Sequence, residues 1–373
     1  MALRVRKLKI AIVTEFLYFK GGIEKSILAL LEEFEKRDIA FEVYAGLYDP
    51  EKTFAEFKRY KIHAFRKDKL PDAINALWLR RKFGALRLKG YDGYILFGSH
   101  SIAAAKHHHP NVLWSTRPLA YVYGWDGKGP DINTRYLYGR NFIRKIAVSV
   151  YLRLLRQIDQ RQIRHVTRIR TVGMLAERAL RNAYPKKEIS VLYAPVDTQK
   201  YAYVKKGSYY LNVARHVPDK NVDRIVRAFQ KMPDKMLYQV GDGDGSIQKL
   251  AAKAKNIKIL GFKSEKELRK LMGESIAMIS ASEGEDFSMN LMESLASGKP
   301  TISVNLDRNI GKMQMTDTGV LMPNSQSEEI IEAARLISAD KAESMRKACE
   351  KKSKLFSRDN FVKGLLNALS LPD

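Results

Sequence analysis

The sequence predicts two successive doubly wound α/β domains, and three observations carry that prediction. Strand-like runs alternate with helix-like runs in the rhythm of βαβ units. That rhythm restarts after residue 205, and a length of 373 residues suits two domains with a core each. Residues 8–14 (Leu-Lys-Ile-Ala-Ile-Val-Thr) read as a buried parallel strand, followed by Gly21-Gly22 and a helical pattern over Ile23–Phe34. Phe41–Ala45 and Gly93–Phe97 are further short apolar runs with helix-like stretches between them. In the second half, Tyr209–Ala214 reads as a strand, Val222–Lys231 as a helix, and Met236–Val240 as a strand ending in Gly241-Asp242-Gly243-Asp244-Gly245. Helix 246–255, strand Ile257–Leu260, helix 265–273, strand Ile276–Ser280, helix 289–297 and strand Thr301–Val304 follow. Pro195–Gly207, containing Lys205-Lys206, interrupts the pattern and marks the linker. The expected domains are therefore 1–195 and 205–356, with a C-terminal helix at about 357–373 packing back on the first.

Composition narrows the class. The chain is 45% hydrophobic and 29% charged, which excludes a disordered or collagenous chain. A single cysteine, Cys349, excludes a disulfide framework and any Cys-based zinc or iron–sulfur site. No window reaches 18 apolar residues, and the N-terminus runs straight into a strand-like stretch, so neither a transmembrane helix nor a signal peptide is read. The expectation is a cytoplasmic protein. Its formal net charge is +25, and the excess is localised. Residues 51–200 carry 30 basic and 11 acidic side chains, whereas residues 201–373 carry 28 and 22. A surface that basic attracts phosphate in an anionic membrane, a diphosphate lipid or a nucleic acid, or else is simply solvated. Two stretches combine basic side chains with helical apolar spacing: 143–163 (Ile143, Ile146, Ala147, Val150, Leu154, Ile158 and Ile163, with Arg140 just before) and 78–89 (from Trp78-Leu-Arg80-Arg81-Lys82). Each reads either as a bilayer-surface helix or as an ordinary surface helix with a core face.

Chemistry concentrates in the second half. Arg215 follows the first strand there and Lys220 stands five residues on, in a short loop that opens a helix. A planar guanidinium fork and a point charge at the carboxyl edge of an α/β sheet have the form of a phosphate site. Further along, Glu285 and Glu293 stand eight apart, separated by a polar loop and the start of a helix. Backbone N–H groups near Ser288–Asn290 at that helix start suit an anionic phosphate. Glu293 suits ribose hydroxyls, and Glu285 suits hydroxyls of a sugar.

These residues resemble the retaining glycosyltransferases of family 4, which have the GT-B fold of two Rossmann-like domains facing a central cleft. The pieces stand in that family's order: Gly21-Gly22-Ile-Glu24; Val191-Leu-Tyr-Ala-Pro195-Val-Asp197; Arg215 to Lys220; Gly241-Asp-Gly243; Gly261; and Glu285-x7-Glu293 with Ala296-Ser-Gly298-Lys-Pro300. The resemblance implies that domain 1–195 binds the acceptor and domain 205–356 the nucleotide sugar. Arg215 and Lys220 would bind the donor diphosphate, Glu285 the donor sugar, and the amides of Phe287, Ser288, Met289 and Asn290 the diphosphate and sugar. Glu293 would hold the ribose, Gly21 and Gly22 would let the first loop approach the phosphate, and Gly241, Asp242 and Gly261–Lys263 would border the nucleobase. The family's usual Gly-Phe-Gly-x-Pro is Asp286-Phe287-Ser288-Met289-Asn290 here, which narrows the loop. Where relatives show His-Thr-Pro, this chain has Thr116-Arg117-Pro118, and His100 is the nearby alternative on the acceptor side.

The activity implied is transfer of a hexose, mannose-type first, from a GDP- or UDP-linked donor to a lipid-linked or glycan acceptor. No metal and no separate cofactor are expected, and the protein would sit on the cytoplasmic face of an anionic membrane. The alternative is a transferase acting on RNA or another polyanion, or a nucleic-acid-binding protein on the same fold, although no nucleic-acid motif is recognised. Three patterns are set aside. His107-His108-His109 lacks a ligand-like spacing, Asp242-Gly-Asp244 reads as a turn, and Gly21-Gly22 with Lys25-Ser26 lacks the P-loop spacing.

Overall fold

The computed structural model describes residues 7–69, 72–128, 142–283, 287–304 and 317–372. The chain divides into two compact units, Met1–Ala194 with Phe361–Asp373, and Pro195–Asn360.

The first unit is built on a seven-stranded parallel sheet. Its described elements are β1 (Lys9–Leu17), α1 (Gly22–Lys36), β2 (Ala40–Tyr48), β3 (Ile62–Arg66), α2 (Asp72–Ala85), β4 (Gly93–Phe97), β5 (Asn111–Ser115), α3 (Ala120–Tyr123), α4 (Phe142–Ile163), β6 (Arg168–Thr171), α5 (Met174–Ala183) and β7 (Ile189–Val191). Strand order is β3-β2-β1-β4-β5-β6-β7, so the direction of winding reverses between β1 and β4. Ile10, Ala11, Ile12 and Val13 of β1 and Ile95, Leu96 and Phe97 of β4 have no exposed surface. A parallel strand covered on both faces reads as one continuous apolar run, which is why both strands were legible in the sequence.

The two basic helices come out differently. In α2, Leu79 and Phe83 enter the core, and so does Arg80, which is 2% exposed and ion-paired at 2.6 Å with the fully buried Asp159 of α4. The bilayer-surface reading of 78–89 is therefore corrected for Arg80: it neutralises a core carboxylate, while Arg81 and Lys82 stay exposed. In α4, Leu152, Leu155 and Ile163 supply the core face. Ile143, Ile146, Val150 and Leu154 form a separate stripe with exposures of 75%, 50%, 59% and 48%. Arg140 lies outside the described residues.

The second unit repeats the plan with six parallel strands. Its described elements are β8 (Tyr210–Val213), α6 (Val222–Gln230), β9 (Leu237–Val240), α7 (Ser246–Ala251), β10 (Ile257–Ile259), α8 (Glu265–Gly273), β11 (Met278–Ser280), α9 (Met289–Ala296), β12 (Thr301–Val304), β13 (Gly319–Met322), α10 (Ser327–Leu336) and α11 (Ala339–Ser353). The order β10-β9-β8-β11-β12-β13 places its reversal between β8 and β11. Ligands of open α/β sheets bind outside the carboxyl ends of strands at such reversals. A last helix, α12 (Arg358–Leu369), buries Phe361, Val362, Leu365, Leu366 and Leu369, and Phe361 meets Trp114 of β5 edge-on at 5.6 Å. None of the described helices is long and apolar enough to cross a membrane.

Candidate functional site

The loops after β8 and β11 are tied together before any ligand is considered. Arg215 lies just beyond β8, and a single 3₁₀ turn, Pro218–Lys220, carries Lys220 to the start of α6. Asn221, in the left-handed region at φ 47°, donates from its side-chain amide to the Ala281 carbonyl at 3.0 Å. The Glu283 N–H donates to the Asp219 carbonyl at 3.1 Å, and Lys220 Nζ donates to Ser282 Oγ at 3.2 Å. On the facing side, Asn290 Nδ2 donates to the Val213 carbonyl at 3.0 Å, pinning the start of α9 to the end of β8. Ser288 occupies the N-cap of α9, yet its hydroxyl makes no capping bond to the helix. The first-turn amides are thus left without a side-chain cap, and a helix start carries roughly half a positive charge.

The result is a concavity of about 270 Å³ lined by Arg215, Lys220, Ser280, Ser288 and Asn290, with Val213, Ala214 and Leu291 at its base. It combines a guanidinium, an ammonium, two hydroxyls and a helix N-terminus with no carboxylate in the lining. That chemistry suits a polyanion, above all a diphosphate whose charge grows as a bond to it breaks.

Of the other residues singled out in this unit, Glu285 lies outside the described residues. Glu293 is 4% exposed, and the Tyr201 hydroxyl hydrogen-bonds to its carboxylate. Phe287 packs edge-on against Phe356 at 5.7 Å, and Met289 opens α9. Gly241 has φ 136°, and a Cβ there would stand 1.9 Å from the Ala214 carbonyl oxygen, so only glycine fits. Its N–H donates to the Gly261 carbonyl at 3.0 Å, which draws the β9 and β10 loops together. Asp242 Oδ1 accepts from the Gly243 N–H at 2.8 Å and Asp244 Oδ1 from the Ser246 N–H at 2.9 Å. Both carboxylates of Asp-Gly-Asp therefore serve the turn, and hydrogen bonds from Ser246 hold Asp244 below the usual range. Lys263 pairs with Glu267 at 3.3 Å. Glu267 also closes a capping box with Ser264, whose hydrogen bonds draw its carboxyl down to about 2.

The first unit gathers its candidates at the carboxyl end of β1, β4 and β5. His100 follows β4 and is 7% exposed; its backbone N–H donates to the Glu15 carboxylate, its Nε2 lies 3.5 Å from the Tyr121 hydroxyl, and its Nδ1 has no partner. Burial, with Arg80 nearby, pulls the imidazole down to about 3 and keeps it neutral. Glu15, at the end of β1, is pushed up to about 7, chiefly by desolvation. Thr116 is half-buried. Arg117 stacks its guanidinium 4.2 Å from the ring centre of the exposed Trp125. Gly21 caps α1 in an extended conformation, with Gly22 opening the helix. A Cβ on Gly21 would stand 2.7 Å from the Glu24 carboxylate, which accepts from the amides of Phe19, Gly21 and Tyr18. In this structure that loop's amides serve Glu24, a role the sequence reading missed along with Glu15, Asp159 and Tyr201. His108 uses both ring nitrogens internally, accepting from the Leu88 N–H at 2.9 Å and donating to the Ala104 carbonyl at 2.6 Å.

Residues 195–356 match the family model for glycosyl transferases group 1. Among solved structures, the chain is similar to the lipopolysaccharide outer core galactosyltransferase WaaB (16% identity, 97% of this chain and 99% of that one, TM-score 0.70). It is likewise similar to HepE of Anabaena in complex with UDP (14%, 97% and 100%, 0.70) and to sucrose-phosphate synthase of Thermosynechococcus elongatus (13%, 97% and 98%, 0.72). No curated protein matches the chain in sequence. The two parallel α/β units and these likenesses establish the GT-B fold. With the matched segment they support a glycosyltransferase of group 1.

Proposed function

We propose that this chain is a retaining glycosyltransferase that moves a hexose from a nucleoside-diphosphate hexose to a lipid-linked or glycan acceptor at an anionic membrane surface. The observation that carries the reading is the concavity at the β8–β11 reversal, where Arg215, Lys220 and the uncapped start of α9 converge. In the reaction, the bond between the anomeric carbon and the diphosphate oxygen breaks, and the acceptor oxygen bonds to that carbon on the same face. The acceptor's proton passes to the departing diphosphate. Charge develops on the leaving oxygen, where a guanidinium, an ammonium and a helix end already aim positive potential, so the chain's own groups suffice without a metal. Glu293 receives the ribose, and Glu285 the sugar. Mannose from GDP-mannose remains the sugar the resemblance favours; HepE, solved with UDP and UDP-glucose, supports testing uridine donors beside it.

The membrane part of the reading rests on α4. Its outer stripe of Ile143, Ile146, Val150 and Leu154 is apolar and exposed, and Lys145, Arg153, Arg156 and Arg161 are exposed on the same helix. Apolar side chains that insert at headgroup depth, with cations beside them, suit an anionic bilayer. The test of the central reading is a screen of UDP- and GDP-hexoses for slow hydrolysis and thermal stabilisation, which a bound ligand must produce. Stabilisation that is lost in Arg215→Ala and Lys220→Ala supports the site. Equal stabilisation in both variants refutes it.

A further inference from the structure

The buried carboxylate of Glu293 is held from outside its own helix. Tyr201 belongs to the stretch that leads into β8, and that stretch is fastened on both sides of it. The Val196 N–H donates to the Phe356 carbonyl at 2.7 Å, Asp197 pairs with Arg358 at 3.2 Å, and the Val204 N–H donates to the Gly273 carbonyl at 3.1 Å. Between these anchors Tyr201 is 7% exposed, its hydroxyl bonded to Glu293 and its surroundings including Glu265 and Arg269 of α8. The terminal torsion of a glutamate is broad and roughly two-fold, so an unheld carboxylate samples many orientations. One phenolic hydrogen bond fixes that torsion and still leaves lone pairs on both oxygens for two neighbouring hydroxyls.

We propose that Tyr201 is a positioning residue that sets the Glu293 carboxylate for the ribose diol of the donor nucleotide. This rests on the assignment of Glu293 made above, and it adds a residue outside the Glu-x7-Glu spacing to the determinants of sugar-nucleotide recognition. Tyr201 touches no substrate; it acts through the carboxylate, and its effect is confined to ligands that carry the diol.

The experiment measures, by calorimetry on the full chain, the affinity for UDP against 2′,3′-dideoxy-UDP, and for GDP against 2′,3′-dideoxy-GDP. The parent, Glu293→Gln and Tyr201→Phe are compared; the phenylalanine keeps the ring and removes only the hydroxyl. The parent prefers the ribonucleotide by tenfold or more, as hydrogen bonds to a buried charge imply. Glu293→Gln loses that preference, and Tyr201→Phe cuts it by about fivefold while its affinity for the dideoxynucleotide stays within about twofold of the parent. If Glu293→Gln loses the preference and Tyr201→Phe keeps it, or if Tyr201→Phe weakens both nucleotides alike, the positioning role is wrong and the Glu293 assignment stands. If Glu293→Gln keeps the full preference, or the parent binds none of the four nucleotides, the Glu293 assignment falls and the positioning role falls with it.

Discussion

Asp159→Asn tests whether the Arg80–Asp159 pair holds the first unit together. Asp159 has no exposed surface, and its Oδ1 accepts from Arg80 at 2.6 Å. Its Oδ2 accepts from the hydroxyls of Tyr123 and Tyr184 at 2.8 and 2.7 Å. Asparagine keeps the shape but offers one acceptor oxygen. Its amide then points N–H groups either at the guanidinium or at two hydroxyl donors. Arg80 becomes a buried cation with no counter-charge, and removing one partner of a buried ion pair costs about 3–5 kcal/mol. The three tryptophans, Trp78, Trp114 and Trp125, all lie in the first unit, so their fluorescence in a urea titration follows that unit alone. With a slope of about 1–3 kcal/mol per molar urea, the midpoint falls by about 1 M or more. The double variant Arg80→Met/Asp159→Asn removes both charges and recovers about 2 kcal/mol or more relative to the single change, because residues in contact do not add. A single variant within about 1 kcal/mol of the parent, or a strictly additive double, refutes the argument. Arg80 also donates to the Ser99 carbonyl at 3.2 Å, next to His100, so the same change should disturb the acceptor side and leave nucleotide affinity intact.

Arg215→Ala and Lys220→Ala each lower kcat/KM by roughly 10²-fold or more, and near-normal turnover in both defeats the diphosphate assignment. Activity persists in EDTA; complete loss restored by Mg²⁺ or Mn²⁺ contradicts the charge argument. Glu15→Gln changes the pH dependence of stability. A carboxyl raised to about 7 from 4.5 holds its proton in the folded state across that window, so its contribution is lost as pH rises through it. His100, lowered to about 3 from 6.5, acts in the opposite sense up to pH 6.5 and masks much of the slope. Relative to the parent, Glu15→Gln should therefore gain stability between pH 4.5 and 7, by up to about 1.4 kcal/mol per pH unit, and parallel urea midpoints at pH 5, 6 and 7 rule this out. Ile146→Glu with Val150→Glu, or Arg153→Glu with Arg156→Glu, weakens sedimentation with anionic liposomes and raises acceptor KM with donor affinity unchanged; each basic residue near the surface contributes about 1 kcal/mol. Unaltered sedimentation at low salt excludes the membrane reading, and retention on RNA instead would favour the polyanion alternative.

What the sequence revealed depended on the range of the cause. Gly93–Phe97 and Thr301–Val304 read at their observed bounds because they are apolar on both faces, and helix 265–273 because Ser264 and Glu267 sign its start locally. Arg215, Lys220, Ser288 and Asn290 were legible from spacing alone, since a strand end and a helix start sit next to them in the chain. Strands β3, β6 and β7 went unread. Arg168-Ile-Arg-Thr and Ile189–Val191 are short and only partly buried, with arginines facing out, so no apolar run marks them. Arg80 looked like one more basic residue on a helix because its counter-charge stands 79 positions away. Glu24 was read past because the glycine pair before it suggests an open phosphate loop, and only the folded turn shows its carboxylate against those amides.

Helix α4 shows the same limit in a form that bears on function. A period of 3.6 residues detects that Ile143, Ile146, Val150 and Leu154 share a stripe, but it says nothing about which stripe faces the core. The structure gives that task to Leu152, Leu155 and Ile163. A helix that buries one face needs no second apolar one. Four large aliphatic side chains left in contact with water raise the free energy of the free protein and are retained only where something covers them. The cations exposed along the same helix select among the possible covers. They oppose a basic partner and add little against a neutral one, whereas an anionic bilayer takes the aliphatic stripe and the cations at once. Charge and apolar exposure, each ambiguous in the sequence, thus point to one kind of surface when the fold puts them on one helix.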